Sequence, residues 1–492
     1  MDDGLYLGFD VGTQGTKGLL FDAASRRVVA RGACRYGLIP GLSPGAAEQH
    51  PDRWIQAVAE VAAELTAGIH RQRIRGIGVS GQQHGLVLLD AADAVVRPAK
   101  LWCDTTAAGE AEELSAALGH PVPAGFTAPK IRWVQRHEPE NWRRTRSVLL
   151  PHDYVNFRLT GQKTMEAGDA SGTGLFDAVA RRFDPAAIAL VDPRLAEMLP
   201  PLIPPGAPAG VLSRVGADLL GLSDGITVAT GGGDNMMSAI GSGATRPGLL
   251  VVSIGTSGTA FAYSNRPITD PEGLVAAFCD STGGWLPLLC VMNMTGVAEE
   301  MCSAFGASLA DLTEAAAASP AGAGGLLLVP YFQGERVPNL PAATGALTGI
   351  RPGLLRPAHL FRAALEGTML SLALGIERLE RLGIQVESVR VVGGGAQNTL
   401  WCQILADVLA RPVTRLPEPE SAALGGAVQA WWTVRRAAGE AVTADAVAAQ
   451  CVVTAGAVIV PDPRHADVYR DSRERLRSLV SRLFEAGSHA GT

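Results

Sequence analysis

Apolar residues recur along this chain in two closely similar patterns that lie about half a chain apart. The first reads LYLGFDVGTQGTKGLLF from Leu5 to Phe21, and the second reads LLVVSIGTSGTAFAY from Leu249 to Tyr263. In both, a short run of glycine and threonine separates two apolar segments, which predicts a hairpin of two buried strands. Asp10 falls opposite Ser253, an offset of 243 residues that the rest of the two patterns keeps. The repeat predicts two related domains.

Strand and helix patterns alternate along both halves, as in α/β proteins. An amphipathic helix is predicted over Asp52–Ile69, before the strand IRGIGVSG, and further helices over residues 107–118, 130–142, 357–382, 398–409 and 467–484. Residues 143–225 are predicted to be mostly irregular. The expected fold class is α/β, with two duplicated actin-like (ribonuclease H-like) ATPase domains and a cleft between them. We predict a first domain over residues 1–245 and a second domain, closed by a C-terminal helix, over residues 246–492.

The two hairpins are candidate phosphate sites. Their glycines let a ligand approach the backbone closely, and successive N–H groups can form an anion-binding nest. Asp10 stands only in the first copy, and a carboxylate beside a phosphate site is useful when Mg²⁺ lies between them. Ordinary glycine-containing turns are the alternative, and the recurrence of the pattern favours nucleotide binding. The predicted ATP-binding residues of the hairpins are Gly12, Thr13, Gln14, Lys17, Gly255, Thr256 and Ser257.

A second carboxylate, Asp234, follows three glycines in the segment ATGGGDNMMSAIGSG. At the start of a helix it could serve only as an N-cap. Phosphoryl transfer, however, needs one acidic group for the metal ion and another that takes the proton from the attacking hydroxyl. We therefore predict that Asp10 and Asp234 divide these tasks and face one another across one cleft.

The segment GGGAQN is the candidate adenosine site. Gly394 and Gly395 follow an apolar strand and would let the backbone lie flat against a purine, with Asn398 nearby. A helix cap is the alternative for Asn398. The segment GIGVSG fits GxGxxG but leads into another strand, so we reject a dinucleotide site there, and no Walker motif GxxxxGK[ST] occurs.

Four residues are candidates for binding a polyol. Gln83 and His84 follow a strand of the first half, and Trp102 and Asp104 in LWCD could supply an apolar wall and a hydroxyl acceptor. A lone histidine is as readily a structural residue.

Composition narrows the possible partners. The 492 residues carry a net charge of −6, which argues against nucleic acid or an anionic membrane as the main partner. The acidic start MDDG is unlike a secretory signal, and the seven cysteines show no CxxC spacing, so we expect a cytoplasmic protein with reduced thiols and no zinc site. A homodimer is possible from these data.

Taken together, these segments resemble the FGGY family of carbohydrate kinases over nearly the whole chain. GFDVGTQGTK resembles the first phosphate motif of the family, SIGTSG the second and GGGAQN the adenosine motif. GFTAPKIRWVQRH and GALTGIRPGLLRPAHLFRAALE resemble its two signature segments. The resemblance implies ATP and Mg²⁺ as cofactors, with Asp234 as catalytic base and Asp10 as metal and phosphate residue. It also implies that Gln83, His84, Asp234 and Asn235 contact the sugar.

Within the family, the order of SGQQHGLVLLD, LWCD, LLPHDY, GDASGTGLFD and GGGDN resembles members that phosphorylate D-xylulose to D-xylulose 5-phosphate. Gln14 and the pair Thr105–Thr106 depart from common family residues, and the pair could alter sugar preference. D-ribulose, L-xylulose, a sugar acid or another polyol stay open as substrates. An actin- or Hsp70-like ATPase and a sugar-responsive repressor are the alternatives from other classes; the polyol-facing residues argue against the first and the lack of a helix-turn-helix segment against the second.

Overall fold

The structure is a computed structural model that describes residues 4–452 and 458–485. Each half of the chain forms one seven-stranded sheet with smaller two-stranded sheets around it. The strands of the first half are β1 (Leu5–Val11), β2 (Gly15–Asp22), β3 (Arg27–Arg35), β4 (Glu48–Gln49), β5 (Ile74–Gly81), β6 (Val87–Leu89), β7 (Ala99–Lys100), β8 (Ser147–Leu149), β9 (Phe176–Asp177), β10 (Arg182–Phe183), β11 (Pro208–Val211), β12 (Thr227–Ala229) and β13 (Gly232–Gly233). Those of the second half are β14 (Gly248–Ile254), β15 (Gly258–Ala262), β16 (Ala276–Cys279), β17 (Trp285–Val291), β18 (Leu327–Val329), β19 (Ala346–Thr348), β20 (Val386–Val392), β21 (Val413–Arg415) and β22 (Val458–Ile459).

The helices cover the faces and edges of these sheets. In the first half they are α1 (Pro51–Leu65), α2 (Ala108–Leu118), α3 (Thr127–His137), α4 (Pro139–Arg144), α5 (Pro151–Thr160), α6 (Ala167–Ala170), α7 (Pro185–Val191), α8 (Leu195–Met198), α9 (Arg214–Leu220) and α10 (Asp234–Gly241). In the second half they are α11 (Thr295–Phe305), α12 (Leu309–Ala317), α13 (Pro357–Arg381), α14 (Thr399–Leu409), α15 (Ser421–Ala437), α16 (Ala444–Cys451) and α17 (Ala466–Val480). None of the helices within residues 4–452 and 458–485 is both long enough and apolar enough to cross a membrane.

Two predictions about helices in the first half are wrong. Residues 130–142 do not form one helix, because Pro139 cannot continue α3 and instead starts α4. Residues 143–225, predicted to be mostly irregular, contain α5 to α9. Most of these helices span only four to seven residues, too few for a hydrophobic period to stand out, and side-chain caps such as Asp184 and Ser213 start them.

The two large sheets share one topology. In the first, the central order is β3-β2-β1-β5-β12, and in the second it is β17-β15-β14-β20-β21. β1 is antiparallel to β2 and parallel to β5, and β14 is antiparallel to β15 and parallel to β20. β1 and β14 begin at residues 5 and 248, which keeps the offset read from the sequence. The predicted duplication and the α/β actin-like fold class are confirmed.

The alternating side chains of β1 pack against helices on both faces of the first sheet. Leu7 and Phe9 belong to a core that includes Trp54 of α1. On the other face, the ring of Tyr6 lies 6.1 Å from that of Trp431 in α15. A helix from the second half of the sequence therefore covers the first sheet.

The exchange of helices is reciprocal. Met236 and Met237 of α10 share a core with Val251 and Phe261 of the second sheet. α10 and α15 also cross each other closely, because a β-carbon on Gly425 would lie 1.8 Å from the Met237 carbonyl oxygen. Glycine at this crossing lets the two backbones touch.

Replacing Gly78 by alanine is expected to lower the free energy of unfolding. A β-carbon there would lie 2.0 Å from the Gly426 carbonyl oxygen of α15, and backbone cannot move aside as a side chain can. Overpacking of this kind costs about 1–3 kcal/mol, and a backbone clash places the variant at or above the upper end. Urea unfolding of the wild type and the variant measures the difference.

Gly109→Ala is the matched control. Gly109 lies in α2, is exposed, and a β-carbon on it would meet no atom within 4 Å. Alanine is the better helix former by roughly 0.5–1 kcal/mol, so this variant should be as stable as the wild type or slightly more stable. Equal stability of Gly78→Ala and the wild type would show that α15 does not pack closely against β5.

Candidate active site

A cleft of about 1460 Å³ lies between the two halves. It is lined by both hairpin tips, by the two predicted carboxylates and by the predicted polyol residues. The predicted site residues in its lining are Asp10, Gly12, Thr13, Gln14, Lys17, Gln83, His84, Trp102, Asp104, Asp234, Asn235, Gly255, Thr256 and Ser257. The structure thus brings 14 of the 17 predicted residues to one cavity.

The hairpin tips are built alike. In the first, the Gly12 N–H donates to the Gly15 carbonyl oxygen at 3.0 Å, and in the second the Gly255 N–H donates to the Ser257 carbonyl oxygen at 3.0 Å. Gly15 has a φ of +157°, close to extended, and a β-carbon on it would lie 2.6 Å from the Cys34 carbonyl oxygen. Both tips can therefore present backbone N–H groups to a polyphosphate at the same cleft.

Asp10 lies one residue before the end of β1, where its carboxylate enters the cleft. Its Oδ1 accepts a hydrogen bond from the Ser80 hydroxyl at 2.7 Å. Burial raises the pKa of Asp10, against the hydrogen bond from Ser80 and the charge of Lys17, which lower it. A carboxylate whose charged form is poorly solvated is a suitable ligand for a cation.

Asp234 is the first residue of α10, and the N-cap position belongs to Gly233, so Asp234 is not the N-cap. Its Oδ1 accepts hydrogen bonds from the backbone N–H and from the Nδ2 of Asn235, at 2.8 and 2.9 Å. Burial, and then the negative charge of Asp10, raise the pKa of Asp234 to about 7. A carboxylate with that pKa can take up a proton near neutral pH.

The sheet register explains how the two carboxylates come together. Asp10 pairs with Ser80 across β1 and β5, and Gly232 pairs with Ser80 from the other side of β5. Strands lie about 4.8 Å apart, so the chain positions of Asp10 and Gly232 are about 10 Å apart at one edge of the sheet. The two carboxylates share one cleft as predicted, but they come from the same wall and do not face each other from opposite walls.

Gln83 and Asn235 form a polar pair beside Asp234. The Asn235 Nδ2 donates to the Gln83 Oε1 at 2.8 Å, and the Asn235 Oδ1 accepts from the Thr259 hydroxyl of the second half at 3.2 Å. The Gln83 Nε2 is buried and has no hydrogen-bond partner among residues 4–452 and 458–485. A buried donor without a partner, in a cleft lining, is suited to a polar ligand atom.

His84 lies next to this pair, with its ring packed against two aromatic side chains that also contact each other. The ring centroids of Phe126 and Phe278 lie 5.0 and 5.6 Å from that of His84. Burial, more than any nearby charge, lowers the pKa of His84 to about 4. The imidazole is therefore neutral at neutral pH and can offer one donor and one acceptor.

Trp102 and Asp104 line the cleft but already have partners. The Trp102 Nε1 donates to the Thr13 hydroxyl at 3.0 Å, which connects the segment that carries Trp102 to the first hairpin. Asp104 accepts from the Ala47 N–H at 2.9 Å and from the Lys100 Nζ at 3.0 Å. Asp104 thus fixes the loop that carries Trp102, and a contact between Asp104 and a sugar stays a prediction.

Lys17 reaches across to the second half, where its Nζ lies 2.9 Å from the Glu420 Oε2. The side chain is about half exposed (54%). An exposed ion pair contributes little to stability, about 0–1 kcal/mol, so Glu420 does not hold Lys17 firmly. Phosphate binding by Lys17 stays a prediction.

The GGGAQN residues Gly394, Gly395 and Asn398 do not line this cleft. Asn398 caps α14, with its Oδ1 accepting from the Trp401 N–H at 3.1 Å, as the alternative reading of the sequence had it. Neighbours in the motif, Gly393, Ala396 and Gln397, line a separate cavity of about 260 Å³. A β-carbon on Gly394 would meet no atom within 4 Å, so this backbone is open to a flat ligand.

Three residues missed from the sequence contribute to the cleft. Ser80 holds Asp10, Thr259 holds Asn235, and Arg336 brings a positive charge to the lining. Ser80 could have been found, because a hydroxyl at the end of the apolar segment GIGV of this strand signals a partner. Thr259 and Arg336 carry no such signal, because only the fold brings the second half to the sugar side.

The residues present fit Mg²⁺ and ATP. Within the part of the chain that the structure describes, no group of three or more His, Cys, Asp or Glu side chains could hold a metal ion by itself. Mg²⁺ is usually held by one or two carboxylates together with substrate phosphates and water. Asp10, a carboxylate in the same cleft lining as both hairpin tips, fits that pattern.

Comparison with known proteins identifies the family of the chain. The family model of the FGGY family of carbohydrate kinases, N-terminal domain, matches residues 5–241, and that of the C-terminal domain matches residues 250–434. The xylulose kinase of Haemophilus influenzae is 38% identical over 446 residues, which cover 87% of this chain and 90% of that protein. The xylulose kinase of Streptomyces coelicolor is 39% identical over 440 residues, 87% of each chain.

A solved structure shows the same fold at full length. The xylulose kinase of Rhodospirillum rubrum superimposes with a TM-score of 0.87 at 30% identity, over 97% of this chain and 99% of that one. Both family models, the curated relatives and the two-domain actin-like fold point the same way. The chain belongs to the FGGY family of carbohydrate kinases and is a sugar kinase.

Proposed function

We propose that this enzyme transfers the γ-phosphoryl group of ATP to the terminal 5-hydroxyl of D-xylulose, giving D-xylulose 5-phosphate. The observation that carries the proposal is Asp234, a carboxylate with a pKa raised to about 7 by burial and by Asp10, in the cleft that holds both hairpin tips. The curated relatives at 38% and 39% identity are xylulose kinases, which supports the choice of sugar.

Asp234 acts as general base in this proposal. It accepts the proton of the sugar hydroxyl as the oxygen attacks phosphorus, and its hydrogen bonds from Asn235 keep the carboxylate aimed. Gln83 and Asn235, joined to each other, hold further sugar atoms. Positioning of this kind can supply roughly 7–11 kcal/mol of barrier lowering.

The hairpins and Asp10 serve the nucleotide. Gly12, Thr13, Gln14, Gly255, Thr256 and Ser257 bind the phosphates, Lys17 adds a positive charge, and Gly394, Gly395 and Asn398 lie against adenosine. Asp10 would hold Mg²⁺, which supplies neutralisation of phosphate charge when bound. The seven cysteines are free thiols, which fits a cytoplasmic enzyme.

A substrate panel tests the proposal. D-xylulose, D-ribulose, L-xylulose, xylitol, glycerol and gluconate are each assayed for ADP release with Mg²⁺ and ATP, and products are identified by mass. We expect the highest kcat/KM for D-xylulose. A higher kcat/KM for another ketose or polyol would assign the enzyme a different substrate within the same family. ADP release without any phosphorylated sugar would overturn sugar phosphorylation.

The pKa of Asp234 gives a prediction for pH. In the ligand-free wild type we expect the Asp234 carboxyl to titrate near pH 7, because both burial and Asp10 disfavour its charged form. Asp10→Asn removes the negative charge, so the Asp234 pKa falls and the base stays ionised to lower pH. Titration of ¹³C-labelled aspartate side chains by NMR measures both midpoints.

The control is Asp311→Asn, an exposed residue of α12 that does not line the cleft. It removes one negative charge and should leave the Asp234 midpoint in place. An equal midpoint in the wild type and in Asp10→Asn would contradict the coupling of the two carboxylates.

Gln83→Met is expected to raise the KM for the sugar about 10-fold. The change keeps the length of the side chain but removes the buried Nε2 donor and leaves the Asn235 Nδ2 without one partner. Losing a hydrogen bond to a buried group costs about 1–3 kcal/mol, and 1.4 kcal/mol is tenfold. Steady-state kinetics at saturating ATP measures the sugar KM, and the KM for ATP, expected to be unchanged, is the internal control. A variant with a normal sugar KM would remove Gln83 from the sugar site.

A further inference from the structure

Behind His84 lies a buried cluster of ionisable side chains that the phosphoryl transfer does not use. It consists of His152, Asp153, Glu166 and Asp169, each at most 3% exposed. None of the four lines the cleft. Charged groups are rarely buried unless they are paired and serve a purpose.

Asp169 is held in place from the far side of the cluster. Its Oδ2 lies 2.9 Å from the His152 Nδ1, and the Asp153 Oδ1 lies 3.0 Å from the His152 Nε2. Burial alone would lower the pKa of His152, but the two flanking carboxylates raise it well above its usual value. The His152 ring therefore holds the Asp169 side chain in place from this side.

The other oxygen of Asp169 faces the sugar site. The Asp169 Oδ1 and the His84 Nδ1 are both buried, have no hydrogen-bond partner in the described part of the chain, and lie 3.7 Å apart. That separation exceeds a hydrogen bond by less than 1 Å. Hydrogen bonds of active sites are often long before substrate binds and shorten in the complex.

The backbone of His84 and its neighbours restrict the position of the imidazole ring. His84 has a φ of +64°, and its carbonyl oxygen accepts from the Lys130 Nζ at 2.9 Å and from the Thr127 hydroxyl at 3.2 Å. A β-carbon on Gly172 would lie 1.8 Å from the His84 Cε1, so only glycine leaves room for the ring. The Nδ1 edge is thus kept towards Asp169.

We propose that Asp169 is a positioning residue for sugar binding: its Oδ1 accepts from the His84 Nδ1–H, which fixes the ring and leaves Nε2 as a hydrogen-bond acceptor in the cleft. A neutral imidazole carries one N–H, and its second nitrogen is then an acceptor. The ligand atom opposite Nε2 must be a donor, so His84 recognises a sugar hydroxyl and rejects a carbonyl oxygen at that place.

The inference rests on the proposed function only in naming a sugar as the ligand. Its test uses full-length enzyme with ¹⁵N-labelled histidine, whose ring nitrogens report the tautomer by NMR without turnover. We expect the Nδ1–H form for His84 in the wild type, and loss of that preference in Asp169→Asn. The KM for D-xylulose should rise about 10-fold in this variant, as when a supporting partner of a ligand-binding histidine is lost, with kcat within about 2-fold.

Asp153→Asn is the matched control, because Asp153 contacts His152 but not His84. It should leave the His84 tautomer and the sugar KM unchanged. An Nε2–H tautomer in the wild type would overturn the proposal without any variant, as would equal effects of the two substitutions. If D-xylulose is not phosphorylated, the proposed function fails, while the tautomer measurement still decides the role of Asp169.

Discussion

Asp234→Asn is expected to lower kcat by about 10²- to 10⁴-fold while ATP still binds. The amide has the shape of the carboxylate and can keep the hydrogen bond from the Asn235 N–H, so the wall of the cleft stays in place. What it loses is the ability to take a proton at neutral pH. Steady-state kinetics gives kcat, and calorimetric titration with ATP gives the affinity that should persist.

A structural role for Asp234 would give a different result. In the first turn of α10 its charge favours the helix by only about 0.3–1 kcal/mol, an effect on the melting temperature and hardly on turnover. Asp234→Glu retains a base one methylene further out and should recover part of the activity. Near-normal kcat in Asp234→Asn would remove the proposed base.

Asp10→Asn is expected to lower kcat by about 10²-fold or more and to weaken the dependence of the rate on Mg²⁺. Mg²⁺ prefers carboxylate oxygens and binds few protein ligands, so the loss of one charged ligand is felt strongly. Asn at this position can still accept from the Ser80 hydroxyl, which keeps β1 and β5 in register. Rates measured over a range of Mg²⁺ concentrations test the metal dependence.

Ser80→Ala separates the contribution of the Asp10 carboxylate from that of its hydrogen bond to Ser80. It removes the hydrogen bond to Asp10 but leaves the carboxylate, so the Mg²⁺ dependence should stay close to that of the wild type. If Asp10→Asn requires no more Mg²⁺ than the wild type does, Asp10 is not the metal residue.

The hairpins and their repeat could be predicted from the sequence because their signals are local. In each hairpin, β1–β2 and β14–β15, a glycine-containing turn separates two largely apolar and buried strands, which is a pattern visible in a short stretch of sequence. The strands β5 and β20, which pair in parallel with β1 and β14, also lead into glycine. Once these strands are placed, parallel pairing brings Asp10 and Asp234 to one sheet edge.

What the sequence could not show depends on contacts between distant segments. Nothing in the segment GDASGTGLFD singles out Asp169, and only the fold brings its Oδ1 within 3.7 Å of the His84 Nδ1. The two carboxylates come from one wall because β1, which carries Asp10, and β13, which precedes Asp234, both pair with β5, and no local pattern signals the pairing of β13. For Asn398, the sequence left two roles open, an adenosine contact and a helix cap, and the structure contains the cap.

The exchange of helices α10 and α15 between the two halves determines whether the chain can be cut into two fragments that fold separately. The proposed boundary between residues 245 and 246 separates the first sheet from the helix that carries Trp431, whose ring lies 6.1 and 5.9 Å from those of Tyr6 and Phe21. Each fragment would then expose to solvent an apolar face that the other fragment covers in the intact protein. Two such fragments made in separate cells should aggregate, and co-expression should rescue them by complementation.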